Sequence, residues 1–391
     1  MIAARRGLFA IGSTAIASCR MLLVTIVAAR VLDPASFGSF SILLILYSII
    51  AGSSRALLVE SFLSAGAYTS GVVAIPKGFI VTVPVSVLLA VGGIYLDNNL
   101  LYLALFIPGF VAFDQLRTIE LTLGKMGVGL ALDGVWTAAV ILVSLLQDGS
   151  ASGVYKVVVV WAASPTVLAA CFVPLAFFRA RKMTHSESAP QFLQIAYLFD
   201  YLIGSGSAQL SQALIPTVSS AAVVGAIRGA GTILSPLTQI ATAARPLLLA
   251  SSGAARRDSS GGALGKNARI ACLLIVLLVP CAFVVASLPD WVGRALLGES
   301  WTLASLVVGP LGIEIALTLV AQVAFAAHRA IDAARRIIVL RLVLAALRVP
   351  AILVVAYVTN SPVAVAWAMV AVSVVGTAVW WTSYYQLDRV R

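Results

Sequence analysis

Apolar runs of about 20 residues recur from one end of this chain to the other, separated by breaks short enough to be turns. Inside a bilayer no water is available to backbone N–H and C=O groups, so a spanning segment must satisfy them within itself. A helix of that length does so and crosses once. The polar breaks mark twelve expected spans, at approximately 8–29, 37–55, 71–95, 100–118, 127–147, 153–178, 194–217, 222–249, 269–288, 302–326, 337–358 and 362–384. Charge is too scarce to cover a water-facing surface: 61% of residues are hydrophobic and 10% charged, where soluble domains carry about 25%. The expected fold is all-α and integral to the membrane, with about 12 transmembrane helices and no soluble domain.

The breaks also carry the orientation. Cations gather in alternate ones: Arg5 and Arg6, then Arg55, then Arg117 and Lys125, then "FRARKMTH", "ARRDSSGGALGKNAR", "HRAIDAARR" and "DRVR". The intervening breaks, among them "ARVLDPASFG", "YLDNN" and "VTNSP", hold few. Positive charge stays inside, so both termini are expected in the cytoplasm and the net charge of +11 is mostly a topogenic signal. No nucleic-acid partner is expected, because the cations form no soluble basic module with interleaved aromatics.

In "LDPASFGSF", Pro34 ends one helix and Gly38 helps start the next. Setting Gly38 against Gly225 aligns this stretch with "SSAAVVGAI", close to half the chain away and between spans 7 and 8. That placement implies a parallel repeat: two six-helix lobes, residues 1–183 and 184–391, around a central cavity, with "RARKMTHSESAP" as linker.

Chemistry-bearing motifs are sparse. Cys19, Cys171, Cys272 and Cys281 lie in apolar runs without a C-x-x-C pair, and the histidines are His185 and His328, so neither metal nor cofactor is expected. "IASC" after Arg5 and Arg6 loosely matches a lipoprotein leader. The apolar stretch continues to Val27 and further spans follow, so the cysteines read as packing residues. "LGKM" and "LGKN" lack the spaced glycine and the hydroxyl of a phosphate-cradling loop. No H-E-x-x-H, nucleophile elbow or loop carboxylate pair marks a catalytic residue, and a membrane glycosyl or acyl transferase is the lesser alternative.

The hairpin "ARVLDPASFGSFSILL" resembles the first external turn of the polysaccharide flippases in the multidrug/oligosaccharidyl-lipid/polysaccharide (MOP) exporter superfamily. "SRALLVESF", "FDQLRTIELTLGK", "ALDGVW", "VGAIRGAGTILSPL" and "LPDWVGRALLGESW" follow in the corresponding order, so the resemblance runs over nearly the whole chain. The chain is short for that family. The resemblance implies a MATE-like two-lobed transporter that flips or exports a lipid-linked oligosaccharide across a bacterial plasma membrane by alternating access. Its partners would be the anionic lipid-linked substrate, membrane lipids, and Na⁺ or H⁺ as coupling ion. A multidrug or cation antiporter of the same fold is the alternative. The major facilitator architecture ranks lower, because "GSSRALLVESFLSAGAYTS" carries a single arginine where that family has a basic signature.

An ionisable group at mid-bilayer costs at least about 2.5 kcal/mol, so each one requires a reason. Arg20 in span 1 and Arg348 in span 11 are expected to face the cavity and bind phosphate oxygens, or to pair internally. Arg341 lies two turns from Arg348 on the same face, and Arg228 sits in "VGAIRGAG". These four are the expected substrate contacts. Glu314, the most isolated acid, follows "GPLG", where a helix break is expected, and is the first candidate for ion coupling. Asp133, beside Trp136, and Asp200 are expected as arginine partners or proton sites. Asp114, Arg117 and Glu120 are spaced for a ladder along one helical face.

Overall fold

The computed structural model describes residues 2–60, 68–95, 99–122, 126–146, 150–181, 191–238, 263–330 and 333–389. Helices dominate them: α1 Ile2–Val31, α2 Pro34–Ser54, α3 Tyr68–Tyr95, α4 Asn99–Thr122, α5 Met126–Leu146, α6 Ala151–Arg181 and α7 Gln191–Tyr201. There follow α8 Ser207–Leu214, α9 Ala221–Ile233, α10 Ala263–Ala286, α11 Asp290–Leu297, α12 Trp301–Ala330, α13 Ala334–Thr359 and α14 Pro362–Arg389. Eight helices among the described residues are long and apolar enough to cross a membrane. Expected spans 1, 3, 7 and 8 are helical where described but are not among those eight.

The chain divides into two compact units, one of Met1–Val31 with Ile42–Gln209 and one of Leu32–Ser41 with Leu210–Arg391. The expected lobe boundary, between 183 and 184, lies outside the described residues. In the first unit α3 and α6 pack on α4, and α1 packs on α5. Ile107, Phe110, Phe113, Leu116 and Ile119 of α4 are fully buried there. In the second unit α12 is central, flanked by α9, α10 and α14.

Two local departures were not anticipated. Arg55–Glu60 and Leu202–Gly206 are π-helical turns, which displace the hydrogen-bond register by one residue. Tyr201, just ahead of the second, lies against Gly52 and donates its hydroxyl to the Ser48 carbonyl at 2.9 Å. Conversely, α12 runs unbroken through "GPLG". The expected break is absent because Pro310 removes only one backbone bond, and Val307, Val308 and Leu311 are buried around it. Cys19, Cys171 and Cys272, expected to pack inside, are exposed on helix surfaces. A hydrocarbon-facing exterior accepts a small thiol as readily as a core does.

The "LDPASFG" turn shows why Asp33, Pro34 and Gly38 interrupt an apolar chain. Asp33 caps α2, its carboxylate accepting the Ala35 and Ser36 amides at 3.0 and 3.1 Å. The hydrogen bonds from Ser36 hold that carboxyl below the ordinary carboxylate range. Pro34 occupies the first helical position, where no amide is needed. Gly38 then meets Gly225 at the crossing of α2 and α9: a Cβ on Gly225 would stand 2.7 Å from the Pro34 carbonyl oxygen, and one on Gly38 would strike the Ala221 carbonyl. Small residues allow this approach of two backbones. The far end of α13 closes the same corner, Asn360 Oδ1 accepting the Ser219 hydroxyl and the Ser220 amide.

Backbone cannot rotate away as a side chain can. Gly225→Ala should therefore cost about 1–3 kcal/mol of stability, read as a lower unfolding temperature in detergent. Gly231→Ala, on the same helix with nothing within 4 Å, should be neutral or stabilising by up to about 1 kcal/mol. Equal effects of the two would refute the close crossing.

Candidate functional site

In the first unit the intramembrane charges converge on Asp133. This acid of α5 is wholly buried, and α1 delivers Arg20, itself 5% exposed, to one of its oxygens. Both terminal nitrogens of Arg20 lie 3.4 Å from Asp133 Oδ1, and Nη1 also donates to Thr137 Oγ1 at 3.1 Å. Arg117 Nε, from α4, donates to the other oxygen, Oδ2. One carboxylate thus ties three helices, and its partners lie 113 and 16 residues away in sequence.

Trp136, one turn beyond Asp133, supplies the floor. The Arg20 guanidinium carbon stands 3.4 Å from the centroid of its ring, a cation–π contact strengthened by the absence of water. The indole cannot tip away, because its Nε1 donates to the Trp161 carbonyl at 2.9 Å. Phe110, Phe113 and Trp161 pack around it with centroid separations of 5.6, 5.0 and 6.4 Å.

The expected Asp114–Arg117–Glu120 ladder does not form as such. Asp114 takes a two-pronged contact from Arg55, at 2.9 Å (Nε) and 2.6 Å (Nη2), while Arg117 reaches across to Asp133. The three positions share a face, but the π turn Arg55–Glu60 and α5 bring partners to it from outside the helix. Glu120 is buried, and its Oε2 has no partner among the described residues.

In the second unit Glu314 is not isolated. Its Oε1 accepts Arg348 Nη2 of α13 at 3.1 Å, Ser373 Oγ of α14 at 3.1 Å and Thr318 Oγ1 at 3.3 Å. The Arg348 side chain is 19% exposed, and its Nε is buried without a partner among the described residues. Arg341 faces α12 as the two-turn spacing requires, its guanidinium carbon 4.4 Å from the Phe325 ring centroid. Phosphate binding by these arginines thus competes with protein partners already in place.

Arg228 differs. It is half-buried on α9, between the buried Ile227 and Gly229, and no described carboxylate pairs with it. Asp200 is half-buried on α7, directly before Tyr201 and the second π turn.

No family model matches the chain, and no curated protein does. Solved structures do match over nearly its full length. An inward-facing multidrug resistance MATE family transporter of the MOP superfamily aligns with TM-score 0.62 and 12% identity, covering 95% of each chain. The lipid II flippase MurJ, in an inward closed conformation, aligns with TM-score 0.63 and 12% identity, covering 96% of this chain and 87% of MurJ. A MOP superfamily transporter from Pyrococcus furiosus Vc1 (DSM3638), described as having a binding pocket of reverse polarity, aligns with TM-score 0.55 and 11% identity, covering 99% and 95%. The chain shares its fold with these transporter structures, and its described residues, with eight helices long and apolar enough to cross a membrane, are those of a multi-pass membrane protein.

Asp133→Asn leaves two guanidinium groups facing a neutral amide in a dry site. The expected loss is about 3–5 kcal/mol, measured as thermal unfolding in detergent, with partial recovery when Arg20→Met is added. An Asp133→Asn protein as stable as the unmodified chain would show that Asp133 is not the tie.

Proposed function

We propose that the chain is a transporter that flips or exports an anionic, lipid-linked oligosaccharide across the bacterial plasma membrane by alternating access. In this reading it has twelve spans, lobes of residues 1–183 and 184–391, and both termini in the cytoplasm. The observation that carries the substrate assignment is Arg228: a half-buried guanidinium in an apolar helix, with no described carboxylate to neutralise it. A pyrophosphate-linked headgroup supplies the missing negative charge in the geometry a guanidinium recognises.

Arg348 adds the coupling step. Glu314 holds it while no substrate is bound, and a proton or Na⁺ that neutralises Glu314 frees its Nη2 for a phosphate oxygen. Arg20 and Arg341 contact substrate in the same manner, once released from Asp133 and from the Phe325 ring. Asp133 and Asp200 are the further candidate coupling acids. No catalytic residue and no cofactor enters this scheme.

An organic-cation antiporter is the second reading, favoured by the MATE neighbours. It requires a carboxylate open to a cationic drug, whereas Asp114, Asp133 and Glu314 each already hold an arginine.

Arg228→Gln should weaken binding of a lipid-pyrophosphate analogue roughly 10- to 100-fold, the loss of a charge-assisted hydrogen bond, with unfolding temperature unchanged. Arg228→Lys should recover only part. Undiminished binding by Arg228→Gln, or tight binding of tetraphenylphosphonium by the unmodified protein, would overturn the proposal.

A further inference from the structure

At the start of α13 and the end of α14 the second unit contains a cavity of about 680 Å³. Its polar part is made of Arg335, Arg336, Thr382, Ser383 and Gln386. Val339, Leu340, Ala378 and Val379 form the apolar remainder. Among the described residues no carboxylate lines it and neither arginine pairs with an acid.

The wall behind these groups is fixed from within. Arg336 Nη1 lies 3.5 Å from the Ser383 carbonyl, and the Ser383 hydroxyl meets buried His328 Nε2 at 3.0 Å. His328 Nδ1 lies 2.8 Å from the Ala324 carbonyl. A carbonyl only accepts, so Nδ1 carries the proton, and in the neutral ring Nε2 accepts from Ser383. The His328 ring stands edge-on to Trp380, 5.2 Å between centroids, and Tyr384 takes a 2.9 Å hydrogen bond from Asn267. The side chains facing outward therefore sit on a rigid backing: two exposed guanidiniums, which only donate, with the Thr382 hydroxyl and the Gln386 amide, which can also donate.

An exposed apolar strip leaves the cavity along both helices. Ile338, Leu342, Val343 and Leu347 of α13 are 49%, 49%, 56% and 42% exposed, and Val374 and Val375 of α14 are 49% and 44% exposed. From Arg335 to Leu347 the strip extends about 18 Å at helical rise. A cationic pocket rich in hydrogen-bond donors at one end of such a strip matches an amphiphile with a phosphate at its head, and a free anion has no use for the strip. We propose that this cavity is a binding site for one anionic glycerophospholipid, its phosphate held by Arg335 and Arg336 and its acyl chains laid along α13 and α14. The site does not depend on the transport reading, since it involves none of the intramembrane charges invoked there.

The test is binding of phosphatidylglycerol to the full chain purified in detergent, followed by native mass spectrometry and thermal unfolding, with phosphatidylcholine as comparison. The unmodified protein should retain one phosphatidylglycerol selectively and unfold at higher temperature with it. Arg335→Gln with Arg336→Gln should weaken that binding about 30-fold, the expected cost of losing two interfacial guanidiniums. Arg269→Gln, which removes an exposed cation from α10, should leave it unchanged. Equal retention of phosphatidylcholine, or undiminished phosphatidylglycerol binding in the double variant, overturns the proposal. The unmodified protein alone provides a second check: glycerol phosphate and inorganic phosphate should not displace the lipid, and displacement by either would make this a free-anion site instead.

Discussion

The buried ion pairs among the described residues are governed by the cost of leaving a charge unpaired in hydrocarbon. The Asp133 carboxylate holds Arg20 and Arg117 together, so α1, α4 and α5 are joined through one residue. Glu314 does the equivalent for α12, α13 and α14 through Arg348 and Ser373. In water such pairs contribute little, because each partner is well solvated when apart. Where no water competes, separation leaves a bare ion, and the pair becomes a strong constraint on which helices can be neighbours. Trp136 reinforces the first of these ties by giving the Arg20 guanidinium a π face on the side no hydrogen bond covers.

In the proposed function the same pairs connect architecture to transport. An ion pair inside an apolar unit is stable only while both partners are charged. Protonation, a metal cation or an anionic ligand can each replace one partner. In the proposed cycle the Glu314–Arg348 pair is the element with two states, closed by its own charges until substrate and coupling ion arrive together. Arg228 has no such internal partner among the described residues, which makes it the natural first contact for an anion in the proposed cycle.

Much of the fold was legible because bilayer physics writes it in large letters. Apolar length located eight of the helices, and the Pro34 break marked a real turn, although Pro34 begins α2 and Gly38 lies inside it. Gly38 and Gly225, aligned in the sequence as equivalent positions of a repeat, touch in the structure, a contact that the alignment did not imply. Less legible were properties that depend on what a helix faces. Arg117 reads as a local ladder member because its acids lie at i−3 and i+3, yet Asp133 across the interface wins. Pro310 reads as a break, yet buried neighbours keep α12 continuous. The π turns at Arg55–Glu60 and Leu202–Gly206 leave no compositional trace, since they arise from how a turn must shift to seat its neighbours. The His328–Ser383 network was hidden for a similar reason: a lone histidine in an apolar run carries no signal until its partner 55 residues away is known.

The central claim is that an anionic lipid-linked glycan crosses the membrane through this chain. Translocation of a fluorescent oligosaccharide-pyrophosphate-lipid in proteoliposomes tests it most directly, with leaflet exposure read by an impermeant quencher. The account predicts protein-dependent movement of the labelled lipid between leaflets, accelerated by a proton or Na⁺ gradient. No movement of that lipid, together with gradient-driven extrusion of an organic cation by the same proteoliposomes, would contradict it.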